Sequence, residues 1–327
     1  MQPVAARWLA SSMAMATLFA MSLPALAQPY PTRPIRLIVG QAPGGHSDVI
    51  GRIIAQRLTE ILKQPVAVEN RGGAGGTIGA EAVARAPADG YTLLFAASSN
   101  LGLATAVIKD LRYSPLDFAP IGSIARVSYG MVVRSKLPVA TIADLVRYAR
   151  AHPGELNYGS SGVASMSSLL FELLKRAANI DIVHIPYKGS GVAVTEIAGG
   201  RIDMMFTDLA GLMPQVSNGS LRLIAVSGLK RISVAPEVLT VTEQGYPDLA
   251  IEPWYGLVAP VGTPADIIAK LSDALTEAVR TPEVRQRFDR LGFVPLESTP
   301  EQLGVVIRTE MKTFEELIER TRINPQQ

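Results

Sequence analysis

Five short stretches carry most of the residues able to hold a small ligand. They are Ala42-Pro43-Gly44-Gly45-His46-Ser47-Asp48, Ser98-Ser99-Asn100, Gly159-Ser160-Ser161-Gly162, Tyr187-Lys188-Gly189-Ser190-Gly191 and Thr207-Asp208-Leu209-Ala210-Gly211. Each is small and polar, and each stands between an apolar, strand-like run and a helical pattern. A loop in that position offers free backbone N–H groups and the positive end of a helix dipole to an anion. One such terminus is worth roughly 0.3–1 kcal/mol to a carboxylate. Lys188 is the only cation in the set. The chemistry these residues suit is capture of an anion by neutral donors and bridging waters, not by a bidentate arginine. Any one loop taken alone is better explained as a helix cap. Five in one chain favour a shared site.

Other chemistry finds less support. The chain has no cysteine, which excludes disulfides, thiolate catalysis and Cys-ligated metals. His46, His152 and His184 are far apart and show no metal-ligand spacing, so neither a metal nor a cofactor is expected. His46 is placed to donate to a ligand oxygen or simply to decorate the surface. His184, inside an apolar run, reads as a packed core residue. Asp48 suits an amino group on a ligand, or a helix start. Tyr187 either lines a cleft or closes a strand end. Arg71-Gly72-Gly73-Ala74-Gly75-Gly76 superficially resembles a dinucleotide fingerprint, but Ile78 stands where the third glycine belongs. It reads as a turn that lets a helix pack closely on a sheet. Gly159 to Gly162 is one residue short of a nucleophile elbow. A serine hydrolase built in space from Ser160, His46 and Asp208 is the enzymatic alternative.

The elements that position these loops follow from periodicity. Ile35, Leu37, Ile38 and Val39 form a strand-length apolar run. After the first loop, Val49, Ile50, Ile53, Ile54, Leu58, Ile61 and Leu62 recur at helical spacing. Strand, loop and helix alternate in this way through most of the 327 residues, which predicts an α/β fold with mainly parallel sheets. Ligands in such folds settle at the loops after the strands. Runs near 125–130 and 250–255 are candidate crossings between two lobes: 28–127 plus 252–327, and 128–251. There is no internal sequence repeat. Arg7, the apolar stretch Trp8 to Leu23 and Ala25-Leu26-Ala27 form an export signal with cleavage after Ala27. Hydrophobic content of 48% with 18% charge describes an ordered globular chain, and a net charge of +2 makes no case for nucleic acid.

Several stretches together carry a resemblance: YPTRPIRLIV with APGGHSDVIGR, VENRGGAGGTIGAEAVARAPADGYTLL, LNYGSSG, VHIPYKG, AGGRIDMMF and GLVAPVGTPADIIAKL. In that combination and order the chain resembles the solute receptors of tripartite tricarboxylate transport systems, the Bug-type receptors. The resemblance covers nearly the whole chain after the signal. It implies a periplasmic, two-lobed type II binding-protein fold, a monomer that closes on a small carboxylate and passes it to a membrane permease. It also implies ligand contacts from Pro43 to Asp48, near Ser98, near Ser160, and near Lys188 and Asp208. A sensor subunit reading the same binding event for a signalling partner is the second alternative. The chain departs from the family in three places. Gly40-Gln41 replaces a common Pro-Phe, His46 replaces a small residue or proline, and Ser167-Ser168-Leu169 stands where a histidine is frequent.

Overall fold

The first strand–loop–helix unit forms where its pattern predicts. Strand β1 (Ile35–Val39) is buried on both faces except at Arg36, as a central strand covered on two sides must be. Helix α1 (His46–Leu62) buries Ile50, Ile53, Ile54, Leu58 and Leu62 against the sheet, each worth about 2 kcal/mol of transfer free energy. The computed structural model describes residues 30–162 and 165–322. The expected signal and its cleavage point at Ala27 lie outside those residues. The chain divides into a short unit ending at Thr32, described over residues 30–32, and a unit Arg33–Gln327 that holds every element discussed here.

The remaining elements follow in order: β2 (Val66–Asn70), α2 (Thr77–Ala84), β3 (Thr92–Ala97), α3 (Ala104–Val107), β4 (Phe118–Val127) and β5 (Tyr129–Arg134). Then come α4 (Ile142–Ala151), β6 (Asn157–Ser160), α5 (Met166–Ala178), β7 (Val183–Pro186), α6 (Ser190–Ala198), β8 (Met204–Asp208), α7 (Leu209–Ser217) and β9 (Leu221–Val226). The chain closes with β10 (Trp254–Pro260), α8 (Ala265–Arg280), α9 (Pro282–Arg290), β11 (Phe293–Pro295) and α10 (Pro300–Thr321). The Thr141 capping box on α4 forms as its sequence predicts, Thr141 Oγ1 accepting from Asp144 N at 3.1 Å.

Two sheets result, ordered β11-β4-β10-β3-β1-β2 and β7-β6-β8-β5-β9. If β11 is set aside, the two orders are the same pattern, so the topology repeats although the sequence does not. Most strands of each sheet run in one direction, as expected, with the crossing strands and β11 against the run. β1 pairs parallel with β2 and β3, and β6 with β7 and β8, but β10 and β5 pair antiparallel with both their neighbours. The cause is the crossing itself: a strand entering from the other lobe arrives from the opposite end. Only Ser128 separates β4 in one sheet from β5 in the other. The return crossing is tied to it: Val127 N donates to Pro253 O, Tyr129 N donates to Ser227 Oγ, and Ser227 Oγ donates to Ile251 O. Each lobe keeps its own core, one around Leu94, Val83 and Trp254, the other around Met205, Ile197 and Leu212. No helix among the described residues is long and apolar enough to cross a membrane.

Candidate functional site

The loops after the parallel strands of both sheets face each other across a cleft. From the first lobe come Gly40, Gln41, Gly73, Gly75, Gly76 and Ser99; from the second come Tyr129, Ser161, Ser165, Met166, Lys188 and Gly189. The cleft is nearly shut, with room for about one water molecule (≈ 10 Å³ for its centre). Glycines make that closeness possible. A Cβ on Gly40 would lie 2.7 Å from Gly76 Cα, so the first loop and the Gly73–Gly76 turn touch backbone to backbone. Across the cleft, a Cβ on Gly162 would lie 3.4 Å from Gly75 N, and Gly162 holds φ +137°, which side-chain-bearing residues avoid. Lys188 is exposed and is the one charged side chain among the described residues lining the cleft.

Several expected residues take supporting positions instead. Asp48 is buried and fully engaged: Oδ2 accepts from Gly44 N and Arg52 Nε, both at 3.0 Å, and Oδ1 accepts from Asn70 Nδ2 at 2.9 Å. Burial opposes its charge, but Arg52, the Gly44 N–H and Asn70 together hold its carboxyl below the usual range. Asp48 therefore shapes the first loop and has no lone pair to spare for a ligand amine. Ser98 is fully buried and accepts from Trp254 N at 2.9 Å. Asn100 turns inward to accept from Ala97 N. Residues 98–103 are a wide helical turn, not an open loop, and of the three residues Ser98 to Asn100 only Ser99 reaches the cleft. Ser160 is buried behind Ser161, its hydroxyl 2.7 Å from His184 Nε2 and donating to Gly162 O at 3.0 Å. Tyr187 packs on the second-lobe core. Ala42, Pro43, Gly44 and Gly45 line a groove of about 340 Å³ against Gly189, Ser190 and Gly191.

His46 reaches across. Its Nδ1 lies 2.5 Å from Asp208 Oδ2 and 3.1 Å from Ser190 Oγ, with the His46 and Asp208 side chains each 2% exposed. Its Nε2 meets Gln41 Nε2 at 3.1 Å, which leaves Gln41 Oε1 buried without a partner. Turning that amide over would offer its oxygen to the ring nitrogen. Burial raises the cost of charge on Asp208, yet His46, the Thr207 hydroxyl at 3.2 Å and the Gly211 N–H hold its carboxyl below the usual range. Tyr129 and Tyr255 from the crossing strands pack on the His46 ring, centroids 6.2 and 5.7 Å away. Burial, and the negative Asp208 beside them, push both phenols well above their ordinary pKa. Ser47, also buried, stands beside the Tyr255 hydroxyl.

No serine relay forms from these residues. Ser190 and Asp208 both face the same nitrogen of His46, whereas a relay needs them on opposite nitrogens, and Ser160 pairs with His184. Reading the sequence missed Gly40, Gln41, Gly73, Gly75, Gly76, Tyr129, Ser165 and Met166. The glycine run at 72–76 was the available signal: it does pack tightly, and the same bare backbone faces the cleft. A larger groove of about 950 Å³ lies away from all these loops, between α8 and α10, where Arg280 pairs with Glu297 at 2.7 Å.

Residues 50–323 match the model of the tripartite tricarboxylate transporter family receptor. Protein BugT of Bordetella pertussis is 35% identical over 300 residues, covering 91% of this chain and 92% of BugT. Among solved structures, R. palustris Rpa4515 with adipate superposes with a TM-score of 0.86 at 32% identity, over 90% of this chain and 99% of that one. MatC from Rhodopseudomonas palustris with bound malate gives 0.85 at 30% identity, over 88% and 100%.

Proposed function

Because the chain belongs to the family of tripartite tricarboxylate transporter receptors, we propose that it is an exported receptor that captures a small carboxylate between two lobes and delivers it to a membrane permease. The family is one of solute receptors, not enzymes. The lobes of this reading are 28–127 with 252–327, and 128–251, and the receptor works as a periplasmic monomer after cleavage at Ala27. The observation that carries the reading is the cleft, walled on the first-lobe side largely by glycines and on the second by small polar residues beside Tyr129 and Met166, with Lys188 as the one cation among the described residues lining it. A carboxylate there replaces water hydrogen bonds with fixed N–H donors in a space that excludes solvent. Two similar receptors hold adipate and malate, which supports the ligand class. The near-closed cleft supports an open–closed equilibrium hinged at β4–β5 and at the segment before β10, which the ligand shifts by binding the closed form better.

A thermal-shift screen of mono-, di- and tricarboxylates against the mature protein tests this. A ligand at a hundred times its Kd adds about 2.7 kcal/mol of stability, an easily read shift. Uniform absence of stabilisation would overturn the reading. Ser161→Trp, which fills the cleft, should abolish the shift while unfolding remains cooperative.

A further inference from the structure

Beside the cleft and the groove along Ala42–Gly45 lies a further interlobe cavity of about 260 Å³. Val49, Val194 and Leu291 make much of its wall apolar, with Thr207 and Asp208 at one end. No residue lines both this chamber and the cleft. The groove along Ala42–Gly45 borders both at its edges, through Gly189 on one side and Gly44, Ser190 and Gly191 on the other, and the His46 ring links the two linings directly. His46 lines the further chamber; its Nε2 touches Gln41, which lines the cleft, and Tyr129, another cleft residue, packs edge-on against it. On its far side the ring is held by Asp208 and Ser190 of the opposite lobe.

We propose that His46 is the specificity-determining residue of the site: a partition, locked by Asp208 and Ser190, that confines the ligand to the cleft and so selects short acids. This rests on the carboxylate reading of the cleft. A longer ligand meets the imidazole, and to pass it must break the contact with Asp208. That would leave a buried carboxylate without its partner, a costly arrangement. Asp208 has one oxygen, Oδ1, without a hydrogen-bond partner, and its other contacts, the Thr207 hydroxyl and the Gly211 N–H, are neutral donors that do not replace the imidazole. The charge at the end of the further chamber also repels a second carboxylate. With the ring removed, the chamber would accept an apolar tail along Val49, Val194 and Leu291, with Ser190, Thr207 and Asp208 as its polar remainder.

The test is calorimetric titration with straight-chain monocarboxylates from acetate to octanoate and dicarboxylates from malonate to suberate. Wild type is compared with the double variant His46→Ala/Asp208→Asn, which opens the wall without stranding a charge. His46→Ser, which keeps a hydroxyl for Asp208, is a second opening variant should the double one fail to fold. His46→Gln keeps the bulk. Wild type and the Gln variant should prefer the short members. The opened variants should bind octanoate at least about tenfold tighter than wild type does. An unchanged order of chain-length preference in the opened variants overturns the partition alone. Absence of binding by every acid to every variant and to wild type overturns the carboxylate reading, and the partition with it.

Discussion

His46 and His184 each meet a serine hydroxyl and pack on a tyrosine, yet one joins the lobes and the other stiffens a single sheet. His184 sits on β7 with Nε2 at 2.7 Å from Ser160, its ring stacked on Tyr158 at 4.7 Å and 8°. Tyr158 in turn donates to Glu172 at 2.6 Å. Every partner belongs to the second lobe. Burial lowers the pKa of His184, which favours the neutral ring and a fixed hydrogen bond to the root of the glycine–serine loop. His46 comes from the first lobe and finds Asp208 and Ser190 in the second, so its bonds exist only while the lobes are together. The same side-chain chemistry thus does two jobs. Within a lobe it fixes the root of the glycine–serine loop; between lobes it ties one sheet's loops to the other's.

Removing the interlobe contact should have the largest effect. His46→Ala leaves Asp208 buried and unpaired, a penalty of about 3–5 kcal/mol if the closed form is kept. The protein avoids it by opening, so small-angle scattering should show a larger radius of gyration, and adding Asp208→Asn should restore much of the compactness. His184→Ala should leave the radius unchanged; a similar expansion in both variants would break the contrast drawn here.

The crossing strand supplies the next test. Trp254 Nε1 donates to Glu310 at 2.6 Å, and burial pushes the Glu310 carboxyl up to about 7, against the pull of Ser98 and Trp254. A raised carboxyl favours the folded state below its unfolded value near 4.5, and that contribution is lost as pH rises through about 7. Denaturant unfolding should therefore show wild-type stability falling over that window. Glu310→Gln, which stays neutral, should flatten the profile and be roughly 1–3 kcal/mol more stable at alkaline pH. Equal slopes in the two proteins would remove Glu310 as the cause.

Gly162→Ala should cost about 1–3 kcal/mol, because alanine must adopt φ +137° and its methyl approaches Gly75 N at 3.4 Å. It should weaken ligand binding more than it lowers the melting temperature. The smallest effect belongs to Ser160→Ala, about 1 kcal/mol from the lost hydrogen bonds to His184 and Gly162. It should lower thermal stability and leave the order of ligand preference intact.

Much of this architecture was legible in the chain. The apolar run from Ile35, the helical spacing from Val49 and the capping box at Thr141 each name their own element, because local periodicity and caps act over a few residues. The reversed direction of the crossing strands was not legible. The alternation in Tyr129–Arg134 is the same whichever way its neighbours run, and only the crossing makes them antiparallel. Nor does any local pattern announce that His46 meets Ser190, which is 144 residues away in sequence. The glycine run at 72–76 was read for its packing, which is half of what it does. Ser160 and Ser161 look alike as neighbours, and only the strand's ending at Ser160 separates the hydroxyl that meets His184 from the residue that lines the cleft.

The most direct measurement is a crystal structure of the mature protein saturated with whichever acid stabilises it most. The expected result is a carboxylate between the lobes, touching the Gly73–Gly76 turn and Ser99 on one side and Ser161 or Lys188 on the other. An acid seated instead in the large groove between α8 and α10, with the cleft unchanged, would contradict the account.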